Sequence, residues 1–496
     1  MLGFVSTAAV DDRTLRRRAR AWALWDWGSA SFNAVVTTFV FSRYIASDLF
    51  VDPAIVQAGT ETEDVTPTAE GARALTEALA DNAAVVAWAV AIAGVLVALL
   101  APVLGQRSDG TGRRRLWLGV NTGITIVAML GMFFVVPVPE YIWVGAALLA
   151  VGNLFFEFAS VNYNAMLHQV STKQTMGRVS GFGWGMGYVG GIVLLALLLV
   201  LFLFPVRGDG TNGILGLPTG LEGQGLDVRV AIVVSAAWFA IFAIPVLVAV
   251  PELPRTERAN AVSLPESYRR LFRTIARIGR RSPKTLLFLV SSAIFRDGLS
   301  AIFTFGAIIA STVFGFSATE VLIFAVAANV TAGLGTFVGG WADDRFGPKA
   351  VIMTSLVVLS VAGTAAIFIE GKAAFWVVGL VLTIFVGPVQ ASARSFMARI
   401  TPDGREGEMF GLYATTGRAV SFLAPTLFGL FVTIAGDTRF GIVGIVIVLL
   451  AGLGLLIPVS ARPALIDDAD EDAAASTEAG DGLPTPPLRG EEGPRD

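Results

Sequence analysis

Twelve membrane-spanning helices in two pseudo-symmetric six-helix bundles form the fold class that this 496-residue chain predicts, an all-α polytopic membrane protein. Three observations predict it. The chain is 54% hydrophobic and only 15% charged, against about 25% charged residues in soluble domains. Apolar runs of about 20 residues, long enough to cross a bilayer, recur along most of its length. A tight charged turn occurs twice in equivalent places, at Gly105–Arg114 between the second and third apolar runs and at Gly340–Lys349 between the eighth and ninth. The second copy reads G-x-x-x-D-R-x-G-x-K; the first keeps the G-x-x-x-D-x-x-G frame and the basic ending, with Gly110 where the second has Arg345.

Taken in order, Arg13, Arg16, Arg17, Arg18 and Arg20 precede a first span over about Ala21–Ala46. It opens on Trp22, Trp25 and Trp27, the residue type of membrane interfaces. The bases follow the apolar start instead of preceding it, so the first span is expected to serve as an uncleaved anchor. An acidic loop leads to a short helix from Thr68 and to spans near Asn82–Leu104, Leu116–Val136 and Tyr141–Leu167. Span five, about Arg178–Phe204, carries Gly181, Gly183, Gly185, Gly187, Gly190 and Gly191, which permit close helix packing. A Gly-rich loop, 206–228, precedes span six near Arg229–Val250. The connection 251–284 is dense in arginine; Ser263 and Glu266 have capping-box spacing, and Tyr268, Leu271, Phe272, Ile275 and Ile278 repeat at helical intervals. This predicts an amphipathic helix on an anionic membrane surface. Spans seven to twelve fall near Thr285–Ala310, Thr319–Trp341, Ala350–Ile369, Ala373–Ile400, Glu408–Ile434 and Phe440–Val459. The resulting division is a basic tail (1–20), a six-helix bundle (21–250), the linker (251–284), a second bundle (285–460) and an acidic tail (461–496) too polar to form a core. Bases gather on the side of the termini, which places both termini in the cytoplasm.

Cysteine is absent and His168 is the sole histidine, which excludes thiolate chemistry and argues against histidine metal sites and Ser-His catalysis. No enzyme, cofactor or metal is expected, and the arginines of the linker are read as membrane-facing, not nucleic-acid-binding.

A charge inside a span costs ~2.5–3.5 kcal/mol on an insertion scale, so each must pair or face water. The intramembrane charges are Asp26, Glu157, Arg296, Asp297, Arg394 and Arg418. Polar residues align with them at helical spacing: Asn153, Glu157, Ser160, Asn164 and His168 on span four; Asp26, Ser29, Asn33 and Thr37 on span one; Asp297, Ser300 and Thr304 on span seven; Gln390 and Arg394 on span ten. Such stripes turn away from lipid and line a wet cavity. Asn33, Asn153, Glu157, Asn164, Arg296, Asp297, Gln390, Arg394 and Arg418 are therefore the expected solute-binding residues. Arginine suits a carboxylate or phosphate, and the acids suit an ammonium or a proton. Asp26, Glu157 and Asp297 are the proton-coupling candidates. In the turns, Asp109 and Asp344 are expected to cap a neighbouring helix and pair with arginine, with Arg113 and Arg345 on hand and Gly105, Gly340 and Gly347 allowing close backbone. These form the expected gate. The span-one pattern Asp26-x-x-Ser29-Ala30-x-Phe32 recurs as Asp297-x-x-Ser300-Ala301-x-Phe303 in span seven, as expected for an internal duplication.

The two turns resemble the cytoplasmic loop motif of the major facilitator superfamily, in which spans one, four, seven and ten line the central cavity. Trp22–Ala30, Tyr163–Leu167, Gln390–Ser395 and Glu408–Tyr413 resemble the vacuole-effluxer branch, over about Arg20 to Val459. Trp25 and Gly28-Ser29 depart from the residues common there. The resemblance implies a secondary transporter, monomeric, in a bacterial plasma membrane, working by alternating access on a small amino acid-like solute with proton-coupled export. Export of drugs or lipophilic cations is a second reading. A non-transporting sensor or scaffold that kept the fold is a third.

Overall fold

The computed structural model describes residues 11–61, 67–202, 213–218, 223–254 and 264–460, and among these there are helices and turns but no strand. The expected capping residue Ser263, much of the Gly-rich loop and the acidic tail 461–496 lie outside the described residues.

Eleven helices among the described residues are long and apolar enough to cross a membrane. The twelfth span is the first, and it is not one regular helix. An α-helix over Asp12–Ala30 runs into a π-helix over Ser31–Phe39 and then a short α-helix over Phe41–Ile45. The wide turn detaches carbonyls from the regular ladder, and hydroxyls take them up. Thr37 Oγ1 donates to the carbonyls of Phe32 and Asn33 (3.0 and 2.7 Å), and Thr38 Oγ1 donates to that of Asn33 (2.7 Å). A run of Thr and Ser inside a span supplies such donors, and π segments commonly mark functional positions.

Span 2 is a single 43-residue helix, Ala69–Thr111, into which the expected short helix and span two have merged. At 1.5 Å per residue it reaches ~65 Å, about twice the ~30 Å hydrocarbon thickness. Thr68 Oγ1 caps its start by accepting from the Gly71 amide, and Gly112, at φ 68°, ends it. Spans 3 to 6 are Arg114–Met132, Ile142–Ala165, Met176–Phe202 and Leu226–Ala249. Spans 7 to 10 are Pro283–Thr312, Ala318–Phe346, Pro348–Phe368 and Lys372–Ile400. Span 12 is Gly441–Leu456.

Span 11 is broken. Its first half is Glu406–Val420 and its second Leu423–Ala435. Pro425 has no amide to return to the preceding turn, so the helix restarts just before it. The freed amide of Ala424 donates to Asp297 Oδ2 of span 7 (2.6 Å).

Spans 1–6 and 7–12 form two bundles that meet along spans 2 and 11 and spans 5 and 8. Glycine makes the second seam possible: a Cβ on Gly181 would stand 2.9 Å from the Cα of Gly340 and 2.8 Å from the Thr336 carbonyl. The linker helix, Leu264–Arg281, is held against the protein. Ser267, Leu271, Thr274 and Ile278 are buried on one face, and Tyr268 Oη donates to the Leu99 carbonyl (3.1 Å). Its outer face exposes Arg269, Arg270, Phe272, Arg273 and Arg280.

Candidate functional site

Polar contacts between the bundles fall in three tiers, counted from the membrane face that carries the described ends of the chain. Among the described residues, all inter-bundle hydrogen bonds and ion pairs lie between that face and mid-span.

The outermost tier uses the two charged turns in mirrored fashion. Asp109 accepts from the amides of Gly407 and Glu408 (2.9 Å each), at the start of span 11. It also accepts from Arg114 Nη2 (2.6 Å), and Arg114 Nη2 reaches Glu406 of the opposite bundle (2.5 Å). These three side chains are 1–7% exposed. Asp344 accepts from the amides of Gly177 and Arg178 (2.8 and 3.1 Å), at the start of span 5, and from Arg399 Nη2 (3.2 Å). Each turn aspartate thus caps a helix of the other bundle, where the dipole favours a negative charge. The expected arginines differ: Arg113 is exposed and Arg114, one residue on, makes the ion pair. Arg345 lies over Trp341 and Phe346, and Arg178 and Arg399 hold Asp344 in its stead. Gly105 is needed for proximity, since a Cβ there would run into the Gly407 carbonyl. Gly340 plays that part against Gly177 and Gly181, and Gly347, at φ 87°, ends span 8.

His168 joins this tier from a short helix after span 4. Its Nε2 lies 2.9 Å from the Ala398 carbonyl of span 10, so that nitrogen carries the proton and donates. Burial holds its pKa below the ordinary value against the opposing pull of Glu406 and Asp403, with Arg114 adding to the lowering. The sign follows. A histidine buried neutral binds fewer protons than an exposed one, so the closed arrangement weakens as pH falls from about 6.5 through the lowered value. At pH 5.5, with each rate normalised to that of a free thiol at the same pH, a cysteine placed at buried Met397 is expected to label faster in the wild-type background than in His168→Gln, and the difference is expected to shrink at pH 7. A pH profile identical in the two proteins would refute it.

The middle tier lies about six residues, ~9 Å, inside the end of span 10. Arg394, 3% exposed, is inserted from the second bundle into a socket made wholly by the first. Its Nε donates to Ser180 Oγ (3.0 Å), its Nη2 to the Ser180 carbonyl (2.6 Å), and its Nη1 to Asp26 Oδ2 (3.2 Å) and Asn164 Oδ1 (3.4 Å). The guanidinium carbon sits 4.7 Å from the Trp22 ring, 5.4 Å from Trp184 and 5.6 Å from Tyr163. Tyr163 Oη donates to Asp26 Oδ2 (2.8 Å), and Trp22 stacks on Tyr163 at 4.3 Å. Gly183 forms one wall, since a Cβ there would lie 2.8 Å from Asp26 Oδ2 and 2.9 Å from Arg394 Nη2. Gly183→Ala is therefore expected to weaken closure and to accelerate labelling of the Met397 cysteine, while Val200→Ala, at an exposed position near the far end of the same helix, leaves it unchanged; equal rates for both would count against the socket geometry.

The innermost tier is near mid-span, ~18 Å from the start of span 11. Arg418 of span 11 donates to Glu157 of span 4, both about a quarter exposed. Arg296 of span 7 stacks on Tyr413, with its guanidinium carbon 4.1 Å from the ring centre. Its Nη1 is buried without a hydrogen-bond partner, and among the described residues no carboxylate lies within ion-pairing distance of it. Its neighbour Asp297 points elsewhere, to the break in span 11. Asn153 is buried nearby in sequence on the Glu157 face, its Nδ2 without a partner. Asn33 is exposed in the π segment, as are Ser300 and Thr304 of span 7; Gln390 is half-buried on span 10.

The expected residues thus separate by depth. Asp26, Asn164 and Arg394 come together in the middle tier, and Glu157 and Arg418 in the innermost one. Sequence reasoning missed Ser180, Tyr163, Trp184 and Tyr413 as partners. Their only signal was residence on the polar faces of spans 4 and 5 or in the opening of span 11.

Residues 168–468 match the family described as vacuole effluxer Atg22 like. An uncharacterized MFS-type transporter of Bacillus subtilis, YxiO, is 24% identical over 89% of this chain and 94% of its own. Autophagy-related protein 22 of Cryptococcus neoformans is 24% identical over 59% of this chain. The chain spans about half the length of that fungal relative, 54%. Among solved structures, the proton:xylose symporter XylE aligns with a TM-score of 0.63 at 12% identity, covering 91% of this chain and 98% of its own. A bacterial homologue of ferroportin in an outward-facing state aligns with a TM-score of 0.61 at 14% identity, covering 91% and 100%. These structures share the major facilitator fold with this chain, and the proteins it resembles are transporters, not enzymes.

Proposed function

The chain belongs to the Atg22-like vacuole effluxer family of membrane transporters, and from that premise we propose that it exports a small polar or zwitterionic, amino acid-like solute by proton-coupled alternating access. The observation that carries the reading is Arg296. It is a mid-span cation whose neighbour Asp297 is engaged as a helix cap and whose buried Nη1 is unsatisfied. A forked donor left without an acid is the receptor for a solute carboxylate. Exposed Asn33, Ser300 and Thr304 lie on the side away from the termini, where no inter-bundle polar contact closes the path among the described residues. The terminal face, which we take as cytoplasmic, carries the gate of Asp109 and Asp344.

Glu157 is the proton carrier in this reading. Its carboxylate is held by Arg418 across the bundles; protonation removes that attraction and frees the Arg418 guanidinium, so protonation and bundle separation are linked. Asp297 serves span 11 as a cap at its hinge. Purified protein in liposomes with an imposed proton gradient tests both parts. Saturable movement of a labelled amino acid that collapses with the gradient is expected. Glu157→Gln is expected to retain exchange while losing gradient-driven accumulation. Gradient-driven accumulation of normal size in Glu157→Gln would remove Glu157 from the coupling role, and an absence of saturable movement of any amino acid would overturn the cargo assignment. Movement confined to lipophilic amines would favour the drug-export reading.

A further inference from the structure

We propose that the socket filled by Arg394 is a second ligand site, a receptor for an organic cation of the guanidinium type, which the protein's own arginine occupies while the terminal face is closed. This rests on the transporter reading and adds to it a site exposed only when the terminal face opens.

All the groups touching the guanidinium belong to spans 1, 4 and 5, whereas Arg394 belongs to span 10. The bundles cannot part on the terminal side without withdrawing it. What remains in the first bundle is then a carboxylate, Asp26, three oxygen acceptors from Ser180 and Asn164, and the rings of Trp22, Tyr163 and Trp184. An anionic acceptor inside an aromatic cage is the arrangement that selects a desolvated cation. The acceptors lie along the edges of a planar fork, which suits guanidinium better than a spherical ammonium.

The walls are preformed by contacts that do not involve Arg394. Trp22 Nε1 donates to the Tyr163 carbonyl (2.9 Å), Trp25 stacks on Tyr163 at 4.3 Å, and Tyr163 Oη holds Asp26. The cage is therefore expected to persist when the arginine leaves, with Asp26 then lacking its cationic partner. A free cation relieves that, and by binding only the open arrangement it shifts the population toward it. Arg394 is in this sense a tethered competitor whose return expels the cation toward the terminal side. The depth difference from the Arg296 tier, seven residues of span 4 between Glu157 and Asn164 or ~10 Å, separates the two sites.

Binding of radiolabelled guanidine to the purified full chain tests the proposal without any flux measurement, so its failure is distinct from a failure of transport. Arg394→Ala, which removes the tethered competitor, is expected to bind guanidine with a dissociation constant at least tenfold below that of the wild-type chain. Urea, of the same shape but neutral, is expected not to compete. Adding Asp26→Asn to Arg394→Ala is expected to abolish binding. Arg394→Lys, which keeps a tethered cation but not the planar fork, is expected to fall between the wild type and Arg394→Ala. If Arg394→Ala elutes as an aggregate, Arg394→Gln replaces it with the same expected order. Equal affinity in the wild type and the competitor-free variant, binding that survives Asp26→Asn, or no binding by a monodisperse competitor-free variant would overturn the proposal.

Discussion

Asp109→Asn is expected to open the terminal face of the transporter more than any other single substitution in the gate. Asp109 is the shared acceptor for two helix amides of the opposite bundle and for buried Arg114. An amide in its place keeps the shape, loses the charge, and presents N–H donors to donors. The Arg114 pair lies within the first bundle and is lost in both arrangements, but the two amide hydrogen bonds to the carboxylate cross the bundles, are worth ~1.5–3 kcal/mol each, and are lost from the closed arrangement alone, because the Gly407 and Glu408 amides reach water once the bundles part. With about 1.4 kcal/mol per factor of ten, the open population rises roughly a hundredfold or more. A cysteine at Met409, buried in span 11 beside this contact, reports it by its labelling rate in the otherwise cysteine-free chain. Asp344→Asn is expected to act in the same direction but less strongly. Its partner Arg178 is 61% exposed, and Asp343 still holds Arg399 in the variant. Unchanged labelling in Asp109→Asn, or a larger effect from Asp344→Asn, would contradict this account of the gate.

Arg296→Gln is expected to abolish handling of carboxylate-bearing solutes while leaving the gate intact. Truncating one member of a buried charged hydrogen-bonded pair costs ~2–5 kcal/mol, a loss in affinity of roughly thirtyfold or more. Arg296→Lys keeps the charge but not the fork and is expected to fall between. The discriminating comparison is an amino acid against the amine obtained by removing its carboxyl group, each measured as saturable movement in liposomes. The amino acid should lose affinity in Arg296→Gln and the amine should not. Equal losses for both would mean that Arg296 serves the fold, for instance through its stacking on Tyr413, and not the solute.

Much of this architecture is a property of one-dimensional pattern. Apolar runs of spanning length, the repeated Gly-x-x-x-Asp turn and the placement of bases fix the number of spans and the internal duplication, because the bilayer demands continuous helices and the turn is local. The capping roles of Asp109 and Asp344 were legible for the same reason: a carboxylate beside a tight glycine turn has few uses other than an N-terminus or a base. Which base was not legible. Arg113 and Arg114 are adjacent, and only the end of span 2 at Gly112 decides that Arg114 turns inward. The π segment of span 1 and the break in span 11 also escaped the pattern, since hydropathy registers length and not hydrogen-bond register. Pro425 and the hydroxyls of Thr37 and Thr38 were the faint signs.

Charge pairing divides sequence from tertiary structure most sharply. Six intramembrane charges in three acids and three arginines could be counted from the sequence, and the cost of burying them implied partners. Arg296 and Asp297 are adjacent in the sequence and of opposite charge. The fold separates them, because consecutive residues on a helix point about 100° apart, so that Asp297 faces the break in span 11 and Arg296 faces Tyr413. Arg394 meets Asp26 across 368 positions and Arg418 meets Glu157 across 261. The sequence determined that the charges exist and lie within the membrane. Only the packing of one bundle on the other decided which of them are neutralised, and left Arg296 Nη1 without a hydrogen-bond partner.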